Sequence, residues 1–209
     1  MGVAISETFV GRMSASEFRS FQERRPDRER WELVAGVPMM MTPPTIAHNR
    51  IASNLERLLN DALNLHDPSR IAVQRPGIEL GSGDYRPEPD IGVIDADYGE
   101  DQRFVVRACL LAEIVSGSDD VPVPGTQERW IDVKRQIYLA HQPCEALLIV
   151  QQGRIEARFD TKTPNGWRSA TISGRSAELK LPQFGLKCLL EELYAGTPHQ
   201  SRAVRPNRS

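Results

Sequence analysis

The chain has 209 residues, of which 40% are hydrophobic and 26% are charged, and its formal net charge is -2. This size and balance predict one globular domain over residues 1–195 with enough apolar material for a core. Any contact with nucleic acid must come from local basic patches, because the chain as a whole has no positive field. Three cysteines without a CxxC pair argue against a disulfide framework or a zinc ribbon. No apolar run reaches the length of a membrane span and the N-terminus lacks a secretory signal pattern, so we expect a cytoplasmic protein without membrane contact.

The first part of the chain predicts a short helix, a hairpin and a long helix. Ser14, followed at the N3 position by Glu17, is a capping box that begins the short helix. Residues 31–40 predict two short strands joined at Gly36, because glycine accepts the positive φ of a hairpin turn. Thr45 caps the long helix. Its apolar residues recur at helical spacing on one face: Ile51, Leu55, Leu58, Leu59, Ala62 and Leu63.

Two apolar segments in the middle of the chain each carry one carboxylate. Asp90 opens the apolar run 91–94, so it lies at the start of a predicted strand, and Glu113 lies inside the apolar run 110–115. An ionised carboxylate among aliphatic side chains is costly unless it is paired or holds a metal ion. Asp90 and Glu113 are therefore the first candidates for chemistry. Each by itself also fits a structural role, such as an ion pair between Glu113 and Arg107.

A loop and a helix follow the second carboxylate. Residues 116–125 are too rich in Gly, Pro and Asp for regular structure, and we expect a mobile loop beside the carboxylates. Trp130, Val133 and Ile137 then recur at helical spacing, which places Lys134 in the first turns of a helix.

The remaining predicted elements are mostly strands. These strands are 71–73, 78–80, 146–150, 155–159 and 167–172. A short helix over 189–194 closes the domain, and the basic, apolar-poor tail over 196–209 is expected to be disordered.

Lysine is rare in this chain, and one lysine follows the carboxylates. There are four lysines against 22 arginines, and only Lys134 comes soon after the two carboxylate-bearing strands. Two carboxylates and one lysine suit metal-assisted hydrolysis of a phosphodiester, because carboxylate oxygens hold a hard Mg²⁺ ion that activates water. The lysine ammonium can meet the charge that develops in the transition state.

Six motifs follow one another over about residues 13 to 193. They are Trp31-Glu32-Leu33-Val34-Ala35-Gly36, His48, Arg86-Pro87-Glu88-Pro89-Asp90-Ile91, Glu113-Ile114-Val115-Ser116, Lys134-Arg135-Gln136-Ile137-Tyr138 and Glu145-Ala146-Leu147-Leu148-Ile149-Val150. Taken in this order, they resemble the PD-(D/E)XK nuclease superfamily with its restriction-endonuclease-like fold. Within it, they are most similar to the bacterial Uma-two family, whose members are classed as endonucleases.

The resemblance implies an α/β fold with a mixed central β-sheet flanked by helices and additional β-hairpins. It implies Asp90 and Glu113 as ligands of Mg²⁺ (or Mn²⁺), Lys134 as the catalytic lysine, Glu32 as a further acid near the metal, and DNA as the substrate. One departure stands out, because Val115 occupies the place where the usual triplet of the superfamily has its lysine. The lysine must then come from the following helix.

Three functions are compatible with these residues. The leading one is a metal-dependent endonuclease that cuts DNA, with a homodimer expected because cutting both strands needs two sites. The alternative is a non-catalytic nucleic-acid or protein interaction module that keeps the fold, which the acidic pI of the sequence favours. A third is a metal-dependent phosphoesterase acting on smaller nucleotides. His48 is expected to serve as a cap-region or packing residue, since it has no HxH or HxxxH partner, and Trp130 and Tyr138 are expected to pack their helix.

Overall fold

The computed structural model describes residues 12–26, 28–80, 83–116, 122–123 and 125–200. Helix α1 (Ala15–Glu23) begins with the predicted capping box: the Ser14 hydroxyl accepts a hydrogen bond from the Glu17 N–H, and the Glu17 carboxylate accepts one of 2.8 Å from the Ser14 N–H. Phe18 and Phe21 on its inner face are buried with Trp31 in a small apolar cluster. This contact fixes α1 against the hairpin that follows.

The predicted hairpin consists of β1 (Trp31–Val34) and β2 (Val37–Met40), which pair antiparallel. Its two-residue turn has positive φ at both positions, 50° at Ala35 and 78° at Gly36. A turn of this kind matches the right-handed twist of the strands it joins. An isolated bridge between Leu33 and Arg86 ties the hairpin to the segment that leads to Asp90.

Helix α2 (Ile46–His66) is the predicted long amphipathic helix, and the Thr45 hydroxyl accepts from the His48 N–H at 3.1 Å as its N-cap. Ile51, Leu55 and Leu59 on its inner face are fully buried. Burial of each such side chain contributes roughly 1.5–3 kcal/mol. Packing therefore supports the central turns of this helix.

The remaining elements build the body of the protein. The strands are β3 (Arg70–Gln74), β4 (Gly77–Ile78), β5 (Ile91–Asp95), β6 (Phe104–Val105), β7 (Ala108–Val115), β8 (Ala146–Gln151), β9 (Glu156–Thr163), β10 (Gly166–Ser173), β11 (Glu178–Leu181) and β12 (Leu186–Leu189). The helices are α3 (Trp130–Ala140) and α4 (Leu190–Leu193), with a 3-10 turn at Pro182–Phe184.

The central sheet has six strands in the order β10-β9-β8-β7-β5-β3. Only β7 and β8 within it run parallel, and helix α3 lies on the crossover between them, as parallel neighbours require. Smaller two-stranded sheets are formed by β1-β2, β4-β6 and β11-β12. The fold is therefore α/β, with a mixed central sheet flanked by helices and hairpins, and the predicted fold class is confirmed.

Alternation along β7 decides which side chains face which helix. Leu110, Ala112 and Ile114 belong to the apolar cluster that includes the buried face of α2. Leu111 and Val115 belong to the cluster on the other side of the sheet, which includes residues of α3. Glu113 shares the face of Leu111 and Val115, and it therefore points towards α3.

Several sequence predictions differ from the structure at the edges of the fold. The strand expected over 78–80 is the two-residue β4, paired parallel with β6, and the β11-β12 hairpin was not predicted. The tail expected to be disordered from residue 196 is ordered as far as Gln200, because Thr197 is buried and His199 Nε2 lies 2.9 Å from the Gln152 carbonyl oxygen. Residues 201–209, and residues 117–121 and 124 of the loop predicted to be mobile, lie outside the described residues.

Candidate active site

Asp90 is held at the start of β5 by the neighbouring strand. Its N–H donates to the Ala112 carbonyl at 2.9 Å, and its Oδ2 accepts from the Ile114 N–H at 2.8 Å. Since Ile91 pairs with Ala112, the same antiparallel register places Asp90 opposite Glu113. The two carboxylates predicted from the sequence are thus brought together by strand pairing alone.

Helix α3 brings two polar side chains to Glu113. Lys134 Nζ lies 3.1 Å from Glu113 Oε2, and the Tyr138 hydroxyl donates to Glu113 Oε1 at 2.7 Å. Residues four apart lie on the same face of a helix, so one face of α3 supplies both contacts. The predicted association of Lys134 with the two carboxylate strands is therefore present in the structure.

Glu32 reaches the same place from the separate hairpin. Its Oε1 lies 2.9 Å from Lys134 Nζ and accepts from the Glu88 N–H at 2.9 Å, while its Oε2 accepts from Trp130 Nε1 at 2.6 Å. Both oxygens therefore have protein donors, and Glu32 fixes the first turn of α3. Of Glu32, Asp90, Glu113 and Lys134, none is more than 6% exposed.

Acidic side chains outnumber basic ones among the buried residues Glu32, Asp90, Glu113 and Lys134. Burial together with the negative charges of Asp90 and Glu32 raises the pKa of Glu113, although Lys134 and the Tyr138 hydrogen bond act in the opposite direction. Burial alone would lower the pKa of Lys134, but the three surrounding carboxylates raise it, so the ammonium stays charged at neutral pH. The negative charges of Asp90 and Glu32 exceed the single positive charge of Lys134, and a further cation beside them would relieve this excess and favour the ionised form of Glu113.

Asp90 has its own partner in helix α2. His48 Nε2 lies 3.1 Å from Asp90 Oδ1. Burial would raise the pKa of Asp90, but hydrogen bonds from His48 and the Ile114 N–H, with the charges of His48 and Lys134, lower it below its usual value. Asp90 is therefore an ionised carboxylate held in one orientation.

These side chains line one cavity of about 430 Å³. Its walls include Arg30, Glu32, His48, Asp90, Glu113, Trp130 and Lys134. Within the part of the chain that the structure describes, no three His, Cys, Asp or Glu side chains are arranged to enclose a metal ion. Mg²⁺ is commonly bound by one or two carboxylates, with water and substrate phosphate completing its octahedron. The donor set of Asp90 and Glu113, with its excess negative charge and an adjoining cavity, fits such an ion.

Comparisons with known proteins show the family of this chain and support its fold. A family model named Uma2 and described as "Putative restriction endonuclease" matches residues 15–191. The chain belongs to the Uma2 family. A solved structure from Anabaena variabilis, titled as a "putative nuclease belonging to DUF820", is similar to 85% of this chain and 96% of its own at 14% identity and a TM-score of 0.63. None of the curated proteins matches the chain significantly.

Membership of the Uma2 family supports a nuclease in general terms, and the solved structure supports the fold. In this Uma2-family chain, no helix of the described residues is long and apolar enough to cross a membrane. The alternative in which Glu113 pairs with Arg107 is wrong, because Arg107 Nη1 lies 3.3 Å from Asp95 instead. Arg107 lies at the opposite end of the β5-β7 pairing from Glu113.

Three residues at the site were missed as functional candidates. His48 was expected to cap or pack α2; its N–H does take part in the cap, but its ring reaches Asp90. Trp130 and Tyr138 were expected only to pack α3, and both donate to site carboxylates. The four-residue spacing of Lys134 and Tyr138, and of Trp130 and Lys134, was a usable signal, since a helix that presents one of each pair also presents the other.

Proposed function

We propose that this Uma2-family chain is a Mg²⁺-dependent (or Mn²⁺-dependent) endonuclease that hydrolyses phosphodiester bonds of DNA. One observation carries the proposal. Lys134, outside the usual triplet, is buried between Glu113 and Glu32 on the wall of a cavity that also contains Asp90. An interaction module has no need for a buried lysine and three costly carboxylates beside an open cavity.

The side chains have separable roles in this proposal. Asp90 and Glu113 would hold the metal ion, which when bound polarises a phosphoryl oxygen and lowers the pKa of a bound water. Lys134 remains protonated, so it serves as a fixed positive charge for the transition state and not as a general base.

Two further contacts position these groups. Glu32 holds Lys134 through the 2.9 Å contact to its ammonium and holds Trp130 through the indole N–H. His48 orients Asp90 through the 3.1 Å contact to Oδ1. Glu32 and His48 are therefore positioning residues, and Asp90, Glu113 and Lys134 are the residues expected to meet the metal or the substrate.

Nicking of a supercoiled plasmid by the pure protein tests the function. We expect cleavage that requires Mg²⁺ or Mn²⁺ and is abolished in Asp90→Asn, which keeps the shape of the side chain and removes its charge. Asp95→Asn is the matched control, because Asp95 ends the same strand and pairs with Arg107 away from the cavity. Intact plasmid at millimolar metal, with DNA binding preserved, would instead favour the non-catalytic interaction module. Cleavage of a simple phosphodiester without cleavage of plasmid would favour a phosphoesterase of small nucleotides.

We also propose that the active form is a homodimer. Each chain carries one such cavity among its described residues, and cutting both strands at one place needs two sites related by symmetry. A monomeric mass by light scattering at high protein concentration, together with double-strand cleavage, would contradict this part of the proposal.

A further inference from the structure

A second cavity lies behind the candidate active site, on the other side of Glu88. It has a volume of about 420 Å³, and Arg25, Arg75 and Arg103 are among its walls. Glu88 separates it from the first cavity, because the Glu88 N–H donates to Glu32 in the active site while its side chain lines the second cavity. The two cavities are therefore neighbours across one residue.

Arg30 lies at this boundary with part of its hydrogen-bonding capacity unused. Its Nε is buried, and no hydrogen-bond acceptor for it exists among the described residues. The nearest carboxylate oxygen, on Glu88, is 3.6 Å away, which is longer than a hydrogen bond. A buried N–H without an acceptor is costly, so the position favours an added acceptor such as an anionic oxygen.

Arg75 lies behind Asp90 and is near enough to Arg30 for their two charges to interact. It follows β3, and its N–H donates to the Asp90 carbonyl at 3.1 Å. Its φ is 50°, in the left-handed region that is strained for a residue with a side chain. Within the described ranges, its guanidinium makes no hydrogen bond or close ion pair. The strained backbone at Arg75 therefore places a positive charge beside the candidate active site.

The positive charges of the Arg30 and Arg75 guanidinium groups repel each other. Partial burial lowers the pKa of Arg75, and the positive charge of Arg30 lowers it further, while Asp90 and Glu88 act in the opposite direction. A phosphate between the two arginines would relieve this repulsion and accept hydrogen bonds from both planar groups.

Four arginines (Arg19, Arg25, Arg75 and Arg103) and three glutamates (Glu23, Glu29 and Glu88) line the second cavity, so positive groups outnumber negative ones there. Glu29 is already engaged by Trp31 Nε1 at 2.8 Å. Arg25 lies over the rings of Phe21 and Trp31, at 4.4 and 5.3 Å from their centroids, and is held there as a positive group on the cavity wall. With a net charge of only -2 for the chain, DNA contact depends on local clusters of this kind.

We propose that Arg75 and Arg30 bind a backbone phosphate of the DNA strand next to the one that is cut, and that the strand continues along the second cavity past Arg25. This inference rests on the proposed function, since it names how the substrate of that site is held. The ligand class is the phosphodiester backbone of a polynucleotide. Contacts of this type fix the register of the strand and carry no sequence information.

The test measures binding without cleavage. Fluorescence anisotropy of a short labelled duplex, in EDTA and over a range of salt concentrations, compares the wild type with Arg75→Asn and Arg30→Gln. Asparagine tolerates the left-handed backbone, so Arg75→Asn removes the charge without adding strain. We expect each variant to weaken binding about tenfold, the scale of removing one charged hydrogen bond. The slope of log affinity against log salt should fall by about 0.9 for each phosphate that the variant no longer neutralises.

Two controls separate phosphate binding from a general effect of charge or folding. Arg168→Gln removes one exposed positive charge from β10, at the edge of the sheet opposite β3, and should change neither affinity nor slope. Arg75→Lys keeps the charge and should recover part of the affinity and the slope. The melting temperature of Arg75→Asn should equal or exceed that of the wild type, because the strain is relieved.

The outcomes separate this inference from the proposed function. Wild-type plasmid cleavage with Arg75→Asn and Arg30→Gln binding like Arg168→Gln would overturn the phosphate contact and leave the endonuclease standing. Arginine-dependent binding without any wild-type cleavage would support the phosphate contact and reject the endonuclease. Absence of duplex binding by the wild type at low salt would overturn the phosphate contact, and the plasmid assay would decide the endonuclease separately.

Discussion

Lys134 Nζ lies 3.1 Å from Glu113 Oε2, although the two residues belong to different secondary-structure elements. In the usual triplet of the superfamily that the sequence motifs resemble, the lysine would stand at position 115 on the same strand as the glutamate, and this chain has Val115 there. The parallel crossover from β7 to β8 passes through α3, which lies over the face of β7 that carries Glu113. A helix can therefore deliver the ammonium to the place where a strand position would have delivered it.

Replacing Lys134 by Met should reduce both stability and turnover. Removal of one partner from a buried ion pair leaves uncompensated charge, so we expect a loss of about 3–5 kcal/mol in the free energy of unfolding. Adding Glu113→Gln should recover part of that loss, because it neutralises the carboxyl group that Lys134 contacts while its amide oxygen can still accept from the Tyr138 hydroxyl. Urea denaturation of the single and double variants measures this. Turnover of the folded fraction should fall about a hundredfold or more, the scale of losing one preorganised charge. A stability change under about 1 kcal/mol would contradict the buried pairing.

Mg²⁺ or Mn²⁺ should raise the melting temperature of the wild type. A ligand that binds only the folded state stabilises it by mass action, by about 2.7 kcal/mol at a hundred times its dissociation constant. Asp90→Asn should abolish the effect, while Asp95→Asn should retain it because that residue pairs with Arg107 outside the cavity. Scanning calorimetry over a metal titration gives the measurement. An unchanged melting curve at several millimolar metal, together with a flat binding isotherm, would show that Asp90 and Glu113 do not form a metal site.

Tyr138→Phe should destabilise the protein without changing its shape. The hydroxyl donates to Glu113 at 2.7 Å inside the core, and leaving a buried oxygen without its donor costs about 1–3 kcal/mol. Tyr98→Phe, at a half-exposed position, serves as the control and should have little effect. Urea denaturation distinguishes the two. Equal stabilities of the two variants would mean that the Tyr138 hydroxyl does not support the Glu113 carboxylate.

Asp160 should make the protein more stable at neutral than at acid pH. Burial would raise the pKa of its carboxyl, but hydrogen bonds from Arg135 and Ser169 and the charges of Arg135 and Arg158 lower it below the usual value. A depressed folded-state pKa gives stability that is present above the unfolded pKa of about 3.9 and is lost as the pH falls towards the folded value. The stability difference between the wild type and Asp160→Asn should therefore shrink as the pH falls below about 4. Urea curves at several pH values measure it, and a pH-independent difference would refute the role of this ion pair.

The same ion pair connects stability to the site. Arg135 follows Lys134 on α3, and its Nε donates to Asp160 on β9 at 2.9 Å. This contact fixes α3 against the sheet on the side away from Glu32. We expect Asp160→Asn to lower turnover modestly at neutral pH, because Lys134 would then be held less firmly.

Much of the fold follows from local sequence patterns. The capping box at Ser14, the apolar face of α2 and the turn at Gly36 were all predicted from short-range rules, and the structure confirms them. The convergence of Asp90 and Glu113 was expected from two carboxylates placed in apolar strands. Their antiparallel register then follows from the pairing of Ile91 with Ala112.

The rest depends on contacts between distant parts of the chain, which local patterns do not reveal. A histidine in the first turn of a helix has the same sequence context whether it packs or reaches a carboxylate, so the approach of His48 to Asp90 could not be read from its neighbours. The ordering of Gly196–Gln200 depends on Gln152 and Tyr194, and tail composition says nothing about those partners. The pairing of Arg107 with Asp95 depends on the strand register, which includes a shift after Val93.

The long sequence separation between Glu32 and its partners in α3 has a consequence for biosynthesis. Glu32 lies in an early hairpin, and its partners Trp130 and Lys134 lie in a helix much further along the chain, with a sequence separation of 98 residues from Glu32 to Trp130. Contacts of such sequence separation form late, because a long loop must close first. During synthesis from the N-terminus, the nascent chain holds Asp90 and Glu113 before it holds any lysine. In the proposed endonuclease, full turnover therefore arises only after α3 has left the ribosome, and a chain that terminates before Lys134 lacks the ammonium expected to stabilise the transition state.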